Sequence, residues 1–198
     1  MTDDFDTPAF KNWAASQKLV FPESLREKAQ DAGAEHEVWF QDDRVFKAAY
    51  NPHTVGFAED GSLTLVPETS VSAYLRRLMM QNNLFDDDIR IEGLVMAEND
   101  RIIPIISQPI VHGRKPTMEE ISDYMREREL IPVAPHIKGW YSRTENVLIA
   151  DAHDRNLVVL PTRVSAIDLI ICEDPKVTKH ARSLALRWNL VESNDDEL

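Results

Sequence analysis

The chain has 198 residues, with 22 Lys plus Arg against 34 Asp plus Glu and a formal net charge of −12, which argues against non-specific binding to DNA or an anionic membrane, since both need a positive field. A hydrophobic fraction of 43% is enough for a core, yet the apolar runs are short, Ile102 to Ile106 is broken by Pro104, and none approaches the ~20 residues of a membrane helix. The acidic opening Met1-Thr2-Asp3-Asp4 carries no secretory signal and the one cysteine, Cys172, can form neither an internal disulfide nor a zinc site alone, so the expectation is a soluble cytoplasmic protein of one ordinary domain or two small lobes.

Residues 1–30 read as a helical arm, with Phe10, Trp13 and Ala14 on one face and a second helix starting at Pro22. Glu37 to Phe40 and Arg44 to Lys47 read as strands joined by the acidic turn Asp42-Asp43. A second turn, Glu59-Asp60-Gly61-Ser62, precedes Leu63 to Val66 and predicts an antiparallel meander. Pro67 to Phe85 is expected to be helical, capped by Thr69 or Ser70. Val71, Tyr74, Leu75, Leu78 and Met79 supply its apolar face, and Arg76 and Arg77 its polar one. Asp86-Asp87-Asp88 ends it as a solvated turn. Ile89 to Val95 and Arg101 to Val111 read as strands rich in branched side chains. Thr117, with Glu120 three residues on, caps a helix reaching about Leu130. Asn146 to Ala150, Leu157 to Leu160 and Val164 to Ile171 are β-rich. A helix spans about Val177 to Leu190, and Glu192 to Leu198 reads as a frayed end.

The chemistry concentrates in Val147-Leu148-Ile149-Ala150-Asp151-Ala152-His153-Asp154-Arg155-Asn156-Leu157. One apolar strand delivers Asp151 and another begins after Asn156. Asp168 lies twelve residues further on, inside Ala166-Ile167-Asp168-Leu169-Ile170. A carboxylate embedded in an apolar strand is costly unless it is paired or on a metal. Three such groups around one hairpin point to a magnesium site beside a catalytic base. His153 is expected to brace the loop by hydrogen bonding. His36, His53, His112, His136 and His180 are scattered and do not form a ligand set.

The spacing Asp151, Asn156, Asp168 resembles the protein-kinase-like fold. Asp151-Ala152-His153-Asp154-Arg155-Asn156 is similar to the small-molecule kinases of the aminoglycoside phosphotransferase type, where a His commonly sits two after the Asp. More closely, Glu35-His36-Glu37-Val38-Trp39, Val45-Phe46-Lys47, Tyr74-Leu75-Arg76-Arg77-Leu78, Leu84-Phe85-Asp86-Asp87-Asp88-Ile89-Arg90-Ile91-Glu92-Gly93, Ser107-Gln108-Pro109, Trp140-Tyr141 and Asp151-Ala152-His153 resemble the kinase domain of polyvalent proteins of phages and mobile elements, over roughly two thirds of the chain. The resemblance implies an α+β, protein-kinase-like fold. It would have a β-rich N-terminal lobe with one long helix (residues 31–111) and a much reduced C-terminal lobe with the catalytic loop and a C-terminal helix (112–198). It implies Mg-ATP as cofactor and γ-phosphoryl transfer to a hydroxyl on a small molecule or a protein. Asp151 would orient the acceptor, Asn156 and Asp168 would hold Mg2+, and Lys47 would bind the α- and β-phosphates. Gly33 would belong to the loop over the phosphates. Residues 107–111 would form the adenine-binding hinge, with Gln108 or Pro109 C=O as acceptor and Ile110 or Val111 N–H as donor, since Pro109 has no N–H.

The sequence departs from that pattern in four places. There is no G-x-G-x-x-G, and only Gly33 precedes Glu35. The helix before Phe85 has no interior Glu to pair with Lys47. Asp168 lacks the usual following glycine. Thirty residues follow it, with no activation segment among them. Either the acceptor is small, or another chain or copy completes the site, or the fold is an inactive nucleotide-binding or protein-interaction module.

Overall fold

The computed structural model describes residues 6–33, 35–97, 101–134 and 137–195. The openings Met1 to Asp4, His136 and the final residues 196–198 lie outside the described residues. The protein is a β-rich α+β chain that divides into two compact units. The first comprises residues 1–53 and 67–110, the second residues 54–66 and 111–198. No helix among the described residues is long and apolar enough to cross a membrane.

The first unit contains helix α1 (Asp6–Ser16) and strands β1 (Val20–Phe21), β2 (Asp31–Ala32), β3 (His36–Gln41) and β4 (Arg44–Ala49). Helix α2 (Val71–Phe85) and strands β7 (Arg90–Met96) and β8 (Ile102–Pro109) follow the excursion 54–66. The predicted second helix at Pro22 is only a 3-10 stretch, Glu23–Lys28. The strands form one six-stranded sheet in the order β1-β7-β8-β4-β3-β2. β1 is admitted beside β7 because Gly93, at φ 149°, has no side chain: a Cβ there would lie 2.1 Å from the Leu19 carbonyl oxygen.

Strand residues alternate between faces. Trp39, Ala48, Ile103 and Ile105 pack in one buried cluster, and Ala49, Tyr74, Leu78, Ile89 and Ile106 in another. The second cluster includes the inner face of α2. Lys47 therefore lies on the α2 side of the sheet. Ser70 caps α2, its hydroxyl accepting from the Ala73 N–H at 3.2 Å. Tyr74 and Leu78 of the expected apolar face are buried, but the stripe departs from it at three positions. Met79 is exposed, whereas Arg77 and Gln81 are buried. Arg77 is tolerated because its guanidinium donates to Glu35 Oε2 at 3.0 Å and to the His53 carbonyl, and lies 5.0 Å over the Tyr74 ring. His36 is bonded to the Tyr74 hydroxyl at 2.9 Å. Of the triple Asp turn, Asp86 forms the left-handed C-cap at φ 55° and Asp88 pairs with Arg44 and Arg90, which pulls the Asp88 carboxyl below the usual carboxylate range.

The second unit holds the hairpin of β5 (His53–Phe57) and β6 (Leu63–Pro67), whose strands end across the unit boundary and form a separate two-stranded sheet. The expected meander therefore stops at β4. The unit continues with α3 (Met118–Arg126), β9 (Leu130–Ala134), β10 (Ile137–Ser142), β11 (Val147–Ala150), β12 (Leu157–Val159), β13 (Val164–Ala166), β14 (Ile170–Cys172) and α4 (Pro175–Asp195). The order β14-β11-β10-β9 makes its main sheet, and β12 and β13 form a small one. Every residue of β11 is buried, as expected of a strand covered on both faces. Ala181 and Ala185, four apart on α4, pack with Val55, Tyr141, Leu148 and Cys172. Burial raises the Cys172 thiol pKa, and the group behaves as a small apolar side chain.

The capping box of α3 has both arms. Glu120 N–H donates to Thr117 Oγ1 at 3.2 Å, and Thr117 N–H to Glu120 Oε2 at 2.8 Å. The Glu120 carboxylate also takes both guanidinium nitrogens of Arg114. Arg114 bridges in turn through its backbone to Val159 at the end of β12. Gly113 permits this approach, since a Cβ there would stand 2.2 Å from the Val159 carbonyl oxygen.

Candidate functional site

The register of the second sheet decides where the loop residues emerge. Ala150 of β11 pairs with Ile170 of β14. The strands run antiparallel, so Asp151, one residue beyond Ala150, and Asp168, two before Ile170, leave the ladder at the same end. Leu157 pairs with Ala166 in the neighbouring hairpin, and the Ile167 N–H donates to the Asn156 carbonyl at 2.9 Å. Asp151 and Asp168 thus leave the main sheet at the same end, while Asn156 and Ile167 close the end of the small hairpin β12–β13, a separate two-stranded sheet. One expectation is corrected here. Asp168 is not inside a strand, because Ile167 to Leu169 form a bend between β13 and β14. The chain must turn there to leave the small hairpin and join the main sheet. Asp168 is half-buried in that bend.

Asp151 adopts the left-handed conformation at φ 61°, which Asp accepts more readily than most residues. The Asn156 amide Nδ2 donates to the Asp151 carbonyl at 3.0 Å and to its carboxylate Oδ2 at 2.7 Å. His153 Nε2 stands 3.2 Å from the other carboxylate oxygen, Oδ1, and its Nδ1 accepts from the Arg155 N–H at 3.1 Å. Both carboxylate oxygens are therefore held by side chains of the same loop, and His153 braces it. Lys115 lies 3.4 Å from Asp154 at the rim.

This donor set fits a hard cation. The amide nitrogen of Asn156 faces Asp151, so its oxygen is the atom turned elsewhere. An amide oxygen and the Asp168 carboxylate are the ligands that Mg2+ accepts beside phosphate oxygens and water. Among the described residues no group of three or more His, Cys, Asp or Glu side chains could by itself hold a metal ion.

In the first unit, Lys47 is buried within β4, between Val38 of β3 and Ile106 of β8. β4 runs on to Ala49, so Lys47 is an interior strand residue and not an exposed strand end. Gly33 follows β2 and donates to the His36 carbonyl at 2.9 Å, closing a tight connection to β3. Gln108 is buried near the end of β8, opposite Val45. The Ile110 N–H donates to the Asp43 carbonyl at 2.9 Å. That bond takes Ile110 out as a donor to a ligand and leaves Val111 of the two expected.

The sequence pattern does not predict two of the strands, β9 and β10. They place Lys138 in the wall of a hollow of about 190 Å3 that also touches Asp151 and His153. Ile137-Lys138-Gly139-Trp140 has too little alternation to betray a strand. Trp140 and Tyr141 of β10 are buried.

Searches of the curated proteins and of the solved structures each found no match. A family model described as serine/threonine/tyrosine kinase found in polyvalent proteins matches residues 6–173. That span reaches from α1 through both units to Glu173, just past β14. The chain therefore belongs to the family of serine/threonine/tyrosine kinases found in polyvalent proteins.

Proposed function

We propose that the protein is a phosphotransferase of the protein-kinase-like fold that binds Mg-ATP and transfers the γ-phosphoryl group to a hydroxyl. The observation that carries the reading is the bond between Asn156 and Asp151, in a loop that leaves β11 at the end where the chain from Asp168 enters β14. Asp151 accepts the acceptor's hydroxyl proton. The acceptor oxygen forms a bond to the γ-phosphorus, and the bond from that phosphorus to the β,γ-bridging oxygen breaks, releasing ADP. The contacts from Asn156 and His153 fix the carboxylate for that task. Asn156 and Asp168 would hold the metal, which neutralises charge on the phosphates. Within the first unit, Lys47 is the residue proposed for the α- and β-phosphates. Gln108 or Pro109 C=O and Val111 N–H recognise adenine, and Gly33 covers the phosphates. Catalysis in this class is positioning and charge stabilisation.

Calorimetric titration with ATP and Mg2+ tests the metal role. Asp168→Ala is expected to lose magnesium-dependent affinity at least about tenfold, as removal of a ligand of the bridging ion would. Unchanged affinity would overturn the assignment.

One observation favours a second reading, an inactive nucleotide-binding or interaction module of a mobile element. Helix α2 contains no carboxylate, and the charged residue it buries is Arg77, paired to Glu35. Magnesium-dependent ADP release that disappears in Asp151→Asn would exclude that reading.

A further inference from the structure

Two hollows of the second unit meet beside the Asp151 loop. The smaller, about 190 Å3, is walled by Leu63 and Leu65 of the β5–β6 hairpin, by Ala150 to His153 and by Lys138. The larger, about 340 Å3, is walled by Met118 and Arg126 of α3 and by Trp140 and Trp188. Lys138 and Ala152 belong to both walls, so the two hollows adjoin across Lys138.

Size, charge and polarity each constrain the occupant. The smaller hollow is below the ~300–1,000 Å3 of sites for drug-sized ligands, so it accepts one side chain or a comparably small group. An occupant reaching both hollows is elongated. In a chain of net charge −12, the only carboxylate among the described residues of either wall is Asp151. Lys138 is exposed and has no charged partner among the described residues, while Arg126 lies 3.6 Å from Asp123 at the outer rim. The larger wall adds two indoles and an exposed methionine, Met118, surfaces that suit an apolar side chain.

We infer that the two hollows form an acceptor groove, and that it selects a hydroxyl side chain within an acidic peptide segment. The hydroxyl-bearing side chain enters the smaller hollow toward Asp151. Lys138 meets a carboxylate beside it, and an apolar side chain lies against Trp140 and Trp188. The chain's overall field repels an acidic peptide, so Lys138 is the local element that reverses the sign. Lys138 is thus a specificity-determining residue. The inference rests on the phosphotransfer reading for the role of Asp151, but the groove can be tested by binding alone.

Three probes serve: a decapeptide with Tyr flanked by Leu and Glu, the same peptide with Lys for Glu, and free glycerate. Binding is read from tryptophan emission, with Trp188→Phe assigning the signal to the groove. The acidic peptide is expected to bind about tenfold tighter than the basic one, with Lys138→Glu reversing the order, as like-charge juxtaposition at an interface does. Arg126→Glu should weaken the acidic peptide less. Equal affinity for the two peptides, a preference unmoved by Lys138→Glu, or tighter capture of glycerate than of the peptide would each overturn the inference. An ATP titration on the same preparations separates the two ideas. Nucleotide binding without acidic preference sinks the groove and leaves the phosphotransfer reading standing. Acidic preference without nucleotide binding does the reverse.

Discussion

Replacing Asp151 by Asn exchanges one carboxylate oxygen for an amide and removes one charge. The backbone is left undisturbed, because Asn is among the residues that best tolerate the φ of 61° found there. The remaining oxygen can still accept from Asn156 Nδ2, now 2.7 Å from the carboxylate. What changes is a charged acceptor becoming neutral, a difference of roughly 1 kcal/mol per bond. Asp151 is 44% exposed in its side chain, which puts the loss at the low end. A chain of this size shifts by about 2–4 °C per kcal/mol, so the melting temperature should fall by no more than about 4 °C. Turnover should fall about 10²–10⁴-fold, the range for loss of a positioned general base, while Mg-ATP affinity stays near that of the unaltered protein. The assay is ADP release in the presence of a mixed Ser, Thr and Tyr peptide pool, with a nucleotide titration in parallel. Residual turnover above about one fifth, with the fold intact, would refute the assignment of Asp151 as the residue that takes the proton.

The Arg77–Glu35 pair gives a stability prediction. Arg77 is 4% exposed and Glu35 15%, so Arg77→Ala strands a mostly buried carboxylate whose other ion-pair partner among the described residues is His53, at 3.7 Å. The expected loss is about 3–5 kcal/mol, and replacing both partners by apolar residues of similar size should recover most of it. A urea midpoint that gives a loss under about 1 kcal/mol for Arg77→Ala would show that water reaches the pair. The α3 cap gives a pH prediction. Arg114 beside Glu120 pulls its carboxyl down from 4.5 to about 2. Because the folded value is the lower one, the cap's contribution is whole above about 4.5 and is lost as pH falls through about 2. The stability difference between the native protein and Glu120→Gln should therefore shrink over that interval, and a difference that is flat with pH would contradict the pairing.

Local signals carried much of the fold. The Asp42-Asp43 turn, the Thr117-x-x-Glu120 box and the apolar run Val147 to Ala150 each act within a few residues, and each formed the element its pattern specifies. The helix at 71–85 was also legible, with Tyr74 and Leu78 of its buried stripe, but Arg77 and Gln81 within that stripe were not. Arg77 reads as surface in any periodicity, and it is buried only because Glu35, the His53 carbonyl and the Tyr74 ring come from elsewhere in the chain to meet it. The hairpin 54–66 read as a continuation of the preceding strands. Its apolar residues Val55, Phe57 and Leu63 pack instead with the core that includes Tyr141, Leu148 and Cys172. β9 and β10 are not specified by local pattern, because Pro132 and Gly139 interrupt stretches that do not alternate between apolar and polar residues.

The sequence by itself determined the set of chemical groups, Asp151, Asn156, Asp168 and Lys47, and the spacing of the first three. Spacing is a property of one short stretch of chain, and the family match extends over residues 6–173. Tertiary structure alone decided that Asp168 stands in a bend rather than a strand, that Ile110 spends its N–H on Asp43, and that Lys138 shares a hollow with Asp151. Each of these depends on a partner dozens of residues or a whole strand ladder away. Which groups meet across such distances is set by packing and hydrogen-bond register, and no local pattern encodes it.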